Sequence, residues 1–290
     1  AGSSIDWGFE GIEQEGIVLA KNDNDVLPLS KNNKKVNVFG HSVIDWLISN
    51  SGSGSSGPGS SQKSVGLLEA LDLYGVEYNT ALIDYYKSWA APRSLPFSIS
   101  SGYNSLYRLT NPSLSNDASY KTLYDEVLTE TDTAIVVISR AAGEHIDPPH
   151  EQINNHKSQK ATNPDRGYLE LTEEEEELLV AVGQDYDKVI VLINTTNVIQ
   201  CDFLFDIEGL DSCLIVGATG TVGAKAIRAI RSEYRQNTAP ARKQAGTITG
   251  GLELLRSLRM RKGTAIPTKD TGPAKAVTQA DNIPDRRISS

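Results

Sequence analysis

Sulfur-containing residues are scarce in this sequence, which has two cysteines and one methionine among 290 residues. Cys201 and Cys213 cannot form a disulfide framework and are too few for a cysteine metal site. We expect both to be small buried hydrophobic residues. The four histidines show no H-x-x-x-H spacing, and no serine lies in a G-x-S-x-G pattern. The sequence therefore predicts no metal site, no cofactor and no serine nucleophile of the hydrolase-elbow type.

Long hydrophobic runs are also absent, because no stretch of 18 apolar residues occurs anywhere in the chain. No transmembrane helix is therefore predicted, and we expect no membrane partner. The segment 1–16 has no basic region followed by an apolar core, so it does not resemble a signal peptide. A cytoplasmic location is favoured on that ground. The chain begins without methionine, which leaves a processed or trimmed start open.

Positive charge is scarce in most of the chain and concentrated at one end. The residues that precede Arg228 include 15 basic and 32 acidic side chains, whereas 228–290 has 13 basic and 5 acidic ones. The acidic part makes nucleic acid an unsuitable partner. The charge reversal predicts two structural units, a domain over 1–227 and a basic tail over 228–290. We expect the tail to be disordered or partly helical, with an amphipathic helix over Gly251–Lys262.

The central feature of the first unit is the unbroken apolar run Ala134–Ile138, which predicts a strand buried on both faces. Similar runs separated by helical patterns predict an α/β fold, a layered α/β sandwich with a mostly parallel sheet. These runs are Val36–Gly40, Lys188–Asn194 and Leu214–Val216. Ligand sites in such sheets form beyond the carboxyl ends of the strands. Glu144 and Asp147 follow the central strand and are therefore candidate site residues. A simpler interpretation is a partly exposed ion pair between Arg140 and Glu144.

Other segments have weaker patterns. Glu10–Lys21 favours a short helix, residues 85–116 a long surface excursion, and residues 148–167 a polar loop. Thr172 and Glu175 have the spacing of a capping box, which predicts a helix start. The acidic run 173–177 would then be a solvated first turn at the positive end of the helix dipole.

Two glycine-rich segments each admit two interpretations. Ser49–Ser61 is either a flexible linker or a loop that bends closely around a polar ligand. Gly217–Gly223 has the local context of a dinucleotide-binding turn. That motif also needs an acidic residue about 20 positions later and further strands. Arg228–Arg242 is basic and strandless by pattern, with Glu233 as its only acidic residue, so we interpret the glycines as allowing a helix to pack against its strand.

Several of these pieces together resemble the C-terminal α/β sandwich domain of glycoside hydrolase family 3, the family of β-glucosidases and β-xylosidases. The resemblance covers about residues 9–227. The resembling pieces, in family order, are Glu15–Asn22, Leu27–Leu29, Val36–Gly40, Ser51–Ser55, Ala134–Asp147, Tyr168–Leu171, Val189–Asn194 and Val216–Gly223.

The resemblance implies roles for particular residues. The family's Arg-x-x-Gly-Glu-Gly-x-Asp pattern falls on 140–147, which makes Glu144 the general acid/base candidate and implies that Arg140 and Asp147 contact the substrate. Ser55, with Ser53 as the alternative register, matches a sugar-contacting serine of the Gly/Ser loop. In this family a separate (β/α)8 barrel carries the aspartate nucleophile, so we expect such a barrel domain or chain as partner and a β-glycoside or oligosaccharide as substrate.

The sequence departs from the family pattern in two places. His145 replaces a common glycine, and residues 228–290 match no part of the family. Asp6-Trp7-Gly8 resembles the nucleophile motif, but only five residues precede it. We therefore predict a domain that supplies sugar contacts and the acid/base for retaining hydrolysis and is inactive or very weak alone. The alternatives are a non-catalytic carbohydrate-binding or interaction module and, more remotely, a nucleotide-dependent oxidoreductase.

Overall fold

The computed structural model describes residues 16–48, 65–91, 107–143, 147–153 and 162–219. All of them fall within the first of two units, Ala1–Ala245. The predicted boundary between residues 227 and 228, and the predicted tail helix, lie outside the described residues and stay predictions. Within the described ranges, no helix has the length and apolar character that a membrane crossing would need.

Six of the strands in the described ranges form one sheet, in the order β1-β8-β7-β4-β2-β3. Strands β8, β7, β4, β2 and β3 run parallel to their neighbours, and β1 pairs antiparallel with β8 at one edge. The strands are β1 Val18–Asn22, β2 Lys35–Phe39, β3 Glu77–Tyr78, β4 Thr133–Arg140, β7 Lys188–Thr195 and β8 Ser212–Val216. The predicted α/β sandwich with a mostly parallel sheet is confirmed.

The core is built around β4, in which all eight residues from Thr133 to Arg140 are buried. Strand β4 pairs along its whole length with β7 and shares its other edge with β2. Because neither face nor edge of β4 meets water, the strand requires the continuous apolar run that the sequence shows. Burying one valine or isoleucine side chain stabilises the fold by about 1.5–3 kcal/mol, so this strand anchors the sheet.

The helices in the described ranges follow the strands as an α/β fold requires. They are α1 Leu67–Leu73, α2 Thr80–Trp89, α3 Ala118–Val127, α4 Glu173–Asp185 and α5 Phe203–Asp206. The capping box predicted at Thr172 is confirmed: its side chain accepts from the Glu175 N–H at 3.1 Å, and the Glu175 carboxylate accepts from the Thr172 N–H at 2.9 Å. These bonds satisfy two of the backbone donors that an α-helix leaves unpaired at its start.

The predicted helix over Glu10–Lys21 is wrong from Val18 onward, because Val18–Asn22 forms strand β1, although the described Gly16 is helical. Val18 pairs with Ile215 and Asn22 with Ser212. The apolar spacing in this segment is compatible with a helix, but pairing with the open edge of β8 satisfies its backbone and overrides the local preference. Residues 1–15 lie outside the described ranges.

Two further predictions need correction. The segment 148–167 is not only a loop, since β5 Glu151–Ile153 and β6 Thr162–Gly167 pair as an antiparallel hairpin. The surface excursion predicted over residues 85–116 is wrong at both described ends. Its first part completes α2, and residues 107, 109–111, 113 and 114 are buried. The 107–111 segment runs beside the hairpin, where the Leu109 N–H donates to the Ile153 carbonyl at 2.9 Å.

Candidate active site

The parallel strands all have their carboxyl ends on the same side of the sheet. On this side Arg140 pairs with Thr195, and Asn194 pairs with Val216. Strand β2 ends earlier, because its last residue, Phe39, pairs with Val136. The ends of β4 and β7 therefore extend past β2, and the segments that follow them lie where an open parallel sheet places its ligands.

Arg140, the last residue of β4, is fully buried. Its guanidinium pairs with both carboxylate oxygens of Glu175, with Nη1 to Oε1 at 2.9 Å and Nη2 to Oε2 at 2.7 Å. The other three N–H groups donate to main-chain carbonyls: Nε to Tyr168 at 2.8 Å, Nη1 to Ser139 at 2.8 Å and Nη2 to Glu170 at 2.6 Å. All five donors of the guanidinium are thus occupied.

These contacts decide the role of Arg140. The prediction that it binds the substrate directly does not fit the geometry, because no N–H remains for a sugar hydroxyl. The partner of its charge is Glu175, which stands 35 positions along the chain. The simpler interpretation expected a partly exposed arginine at the strand end, whereas Arg140 is fully buried. Burial alone would lower the pKa of Arg140, but the Glu175 charge and hydrogen bonds outweigh it and raise the pKa above its ordinary value.

The backbone that follows Arg140 is held by side chains. The Tyr168 hydroxyl accepts from the Ala141 N–H at 2.9 Å and lies 3.2 Å from the Ala141 carbonyl, to which it donates. The Ala142 N–H donates to Thr196 Oγ1 at 2.8 Å. A backbone segment whose donors and acceptors are paired with the side chains of Tyr168 and Thr196 has few alternative conformations. The segment 140–142 is therefore fixed on both sides.

The other predicted site residues are divided between described and undescribed parts of the chain. Glu144, Ser53 and Ser55 lie outside the described residues, so their predicted roles stay predictions. Asp147 is described and exposed. Among the described residues, no side chain forms a hydrogen bond or an ion pair with Asp147, and its carboxylate faces solvent.

A buried histidine stands at the end of β2. Its Nε2 lies 2.8 Å from the Ala90 carbonyl, and its Nδ1 lies 3.2 Å from Thr110 Oγ1. The preceding Gly40 has φ of +96°, and a Cβ there would lie 2.6 Å from the Val137 carbonyl oxygen. Only glycine permits this close approach of β2 to β4. The histidine, His41, thus ties the strand end to neighbouring segments, a role that its sequence context did not indicate.

The glycine-rich segment after β8 is described only as far as Thr219. A Cβ at Gly217 would meet no atom of the described residues within 4 Å. The helix that these glycines were predicted to admit lies outside the described residues, so that interpretation stays a prediction. Thr219 is buried, and its hydroxyl accepts from the Trp46 indole N–H at 2.9 Å. The described part of the segment therefore contacts the chain that leads into the Gly/Ser loop. Gly220–Gly223 and the predicted helix after them lie outside the described residues.

The residue that sequence reasoning placed wrongly is Glu175. The acidic run 173–177 was expected to be solvated, yet Glu175 is 1% exposed. Glu177 is also engaged, because it accepts from the Ser113 hydroxyl and from the main-chain N–H groups of residues 114 and 115. The capping-box spacing distinguished Glu175 from its neighbours, because it predicts a carboxylate that folds back to the N-cap, but it gave no sign of Arg140 as a partner.

Comparison with known protein families gives a match to the glycosyl hydrolase family 3 C-terminal domain over residues 17–230. A β-glucosidase of Ruminococcus albus is 29% identical over 212 residues, which is 73% of this chain and 20% of that protein. β-Glucosidase A of Butyrivibrio fibrisolvens is 27% identical over 222 residues, covering 73% of this chain and 25% of that protein. The chain thus spans a fifth to a quarter of these relatives.

Solved structures give the same match. A β-glucosidase from Paenibacillus barengoltzii superposes with a TM-score of 0.60 at 26% identity, covering 79% of this chain and 23% of that one. β-Glucosidase 3B from Thermotoga neapolitana, solved with glucose, superposes with a TM-score of 0.54 at 24% identity over 77% of this chain and 28% of that one. The second likeness supports the fold alone.

Proposed function

Because this chain belongs to glycosyl hydrolase family 3, through that family's C-terminal domain, we propose that it forms one half of an active site for β-glycosides. It supplies sugar contacts and the general acid/base, and a (β/α)8 barrel supplies the aspartate nucleophile. The names of its relatives support a β-glucoside as substrate. Retaining hydrolysis needs two carboxyl groups about 5–5.5 Å apart, so both halves must meet for reaction. The chain alone is expected to be inactive or very weak.

The proposed proton donor is Glu144. The observation that carries this assignment is the clamped strand end: Arg140 is locked by its ion pair, and the N–H groups of Ala141 and Ala142 are bound by Tyr168 and Thr196. Glu144 follows two residues later in the chain. A general acid must approach the glycosidic oxygen within hydrogen-bonding distance, so a rigid support just before it favours catalysis.

The ion pair also removes an electrostatic objection to this role. An unpaired Arg140 would stabilise the ionised form of a nearby carboxyl and so oppose proton donation. Here Glu175 neutralises Arg140 through two hydrogen bonds of 2.9 and 2.7 Å. The remaining influence on Glu144 is that of a nearly neutral pair, whose field falls off faster than that of a single charge. Arg140 is therefore a positioning residue in this proposal and not a sugar ligand.

The remaining sugar contacts are assigned by family pattern. Ser55, or Ser53 in the alternative register, binds sugar hydroxyls from the Gly/Ser loop. Asp147 is a second candidate, and it is supported by an exposed carboxylate that no described side chain engages. A carboxylate in that state can accept two sugar hydroxyls without first breaking a contact to any described side chain.

The test pairs this chain with a family 3 barrel domain that carries the nucleophile and compares two classes of β-glucoside. Glu144→Gln should slow hydrolysis of unactivated glycosides by about 10²–10⁴, the usual contribution of proton donation. Activated aryl glycosides should lose less in the first step, because their leaving groups need little protonation, and azide should rescue the second step. Glu126→Gln, an exposed change on α3, is the matched control and should act like wild type.

Two outcomes would change the assignment. If Glu144→Gln is inert and Asp147→Asn reproduces the expected loss, the acid/base role moves to Asp147. If neither change affects hydrolysis by the paired domains, the catalytic proposal fails. A non-catalytic carbohydrate-binding or interaction module then becomes the better account of the chain.

A further inference from the structure

The end of β7 holds one loop through Asn194, whose side chain is fully buried. Its Oδ1 accepts from the Leu47 N–H at 2.6 Å, and its Nδ2 donates to the carbonyls of Leu47 at 3.1 Å and Gly217 at 3.0 Å. The carboxamide thus pairs with both main-chain groups of Leu47, as a neighbouring strand would. Leu47 stands two residues before Ser49, where the Gly/Ser segment begins.

Two residues later, the same strand end holds another loop. The Thr196 N–H donates to the Arg140 carbonyl at 3.0 Å, and its hydroxyl accepts from the Ala142 N–H at 2.8 Å. Thr196 therefore pairs with the main chain that leads to Glu144. The two clamps differ in chemistry but have the same form, since each offers a donor and an acceptor to one short stretch of backbone.

The two held segments also share a small hydrophobic cluster. Leu47 and Ala141 pack in it with Tyr107, Leu109 and Tyr168, all of them buried. Beneath them, β7 is paired on one side with β4 and on the other with β8. Asn194 belongs to both ladders, and Thr196, one residue past β7, is held to β4 by the bond of its N–H to the Arg140 carbonyl. The sheet therefore sets the spacing of the two clamped segments.

We propose that Asn194 and Thr196 are positioning residues that hold the entry to the Gly/Ser loop and the entry to the Glu144 loop at one fixed spacing. The proposal rests on the proposed function, which gives those loops their roles in sugar holding and proton donation. Misplacement of a reacting group by about 1 Å can cost about 10²-fold in rate. Asn194 then acts mainly on sugar binding and Thr196 mainly on the proton-transfer step.

The chain offers control positions at the amino ends of the parallel strands, away from the proposed site. The Asn22 side chain accepts from the Leu27 N–H and donates to the Leu27 carbonyl, both at 2.9 Å. The Thr131 hydroxyl accepts from the Thr133 N–H at 3.3 Å and donates to the Lys35 carbonyl at 2.8 Å. Asn22→Asp and Thr131→Val therefore repeat the chemistry of Asn194→Asp and Thr196→Val away from the proposed site.

The first readout is amide hydrogen exchange on the full chain. Asn194→Asp places a carboxylate oxygen against two carbonyls, so exchange over 46–48 and 217–219 should accelerate about tenfold or more. Thr196→Val should do the same over 141–143, and Thr196→Ser should restore the wild-type rate. The control variants should leave both segments unchanged. Equal acceleration of all peptides in the site variants, or no acceleration at these segments, would overturn the proposal.

The second readout is hydrolysis by the chain paired with a family 3 barrel. Asn194→Asp should raise KM more than it lowers kcat. Thr196→Val should lower kcat by about 10–100-fold on unactivated glycosides, less on activated ones, and should be rescued by Thr196→Ser. If neither Glu144→Gln nor Asp147→Asn affects hydrolysis, the proposed function fails while the exchange data still decide the clamps. If Glu144→Gln strongly slows hydrolysis and the Asn194 and Thr196 variants behave like their controls, the proposed function stands and only the positioning role of Asn194 and Thr196 is wrong.

Discussion

Replacing Glu175 with glutamine tests the buried ion pair on which the strand end depends. The Glu175 carboxylate accepts two hydrogen bonds from Arg140, one from the Thr172 N–H at the start of α4, and a longer one of 3.4 Å from Asn111 Nδ2. Removing one partner of a buried pair costs about 3–5 kcal/mol, because the other charge stays buried without compensation. Arg140 keeps its three carbonyl acceptors, and glutamine retains one oxygen. We therefore expect a loss of about 3 kcal/mol in the free energy of unfolding.

Urea unfolding followed by tryptophan fluorescence measures this loss. The control is Asp125→Asn, which breaks the half-exposed pair of Asp125 with Lys121 on α3. An exposed helical pair contributes only about 0.3–0.5 kcal/mol, so the two variants should differ clearly. The double variant Arg140→Met with Glu175→Leu should be more stable than Glu175→Gln alone, because it removes both buried charges. A Glu175→Gln loss no larger than that of Asp125→Asn would refute the reasoning.

Two further outcomes follow from perturbed side chains. Burial raises the pKa of the Cys213 thiol, so iodoacetamide should label Cys213 only as fast as the chain unfolds, and rapid labelling of native protein would contradict its burial. The pKa of Glu130 is lowered mainly by its hydrogen bond with Lys35, and that of Asp132 mainly by its bond with Lys188. Their stabilisation is present above the ordinary values of 4.5 and 3.8 and should be lost below them, and Glu130→Gln should reduce the slope of unfolding free energy against pH.

The sequence predicted the interior of the sheet well but missed strand β1 and the β5–β6 hairpin, for a physical reason. Strands β4 and β7 are buried on both faces, so each residue had to be apolar or paired, and the run was visible without knowledge of any partner. Strand β1 and the β5–β6 hairpin meet water on one side and include lysine, asparagine or proline. Their strand character comes from the backbone groups that they pair with, and such long-range pairing leaves little trace in local composition.

The candidate site shows the same division. The position of Arg140 at the carboxyl end of a central strand was predictable, since it depends on one buried run. Glu144 follows in the sequence, and its role as a site residue stays a prediction. The partner of Arg140 was not predictable, because Glu175 is 35 residues away and stands in a row of five glutamates. Which of five equivalent side chains faces the sheet depends on the rotation of α4. In the sequence, only the capping-box spacing from Thr172 distinguishes Glu175 from its neighbours, and the structure contains the corresponding bond.

A buried ion pair is an expensive way to fill this position, since apolar residues of similar volume are often as stable or more so. Apolar side chains, however, make no directional hydrogen bonds and so do not fix the orientation of the strand end. The guanidinium of Arg140 ties its strand end at five acceptors to β4 itself, to α4 and to the 168–170 segment. Retaining hydrolysis needs its two carboxyl groups about 5–5.5 Å apart. If the nucleophile belongs to another domain, as we propose, that distance depends both on how the domains dock and on where this loop places its carboxyl group. On this proposal, side chains that fix the orientation of the strand end help the reaction more than side chains that only add stability. The buried Arg140–Glu175 pair then has a function that apolar residues at the same positions would lack.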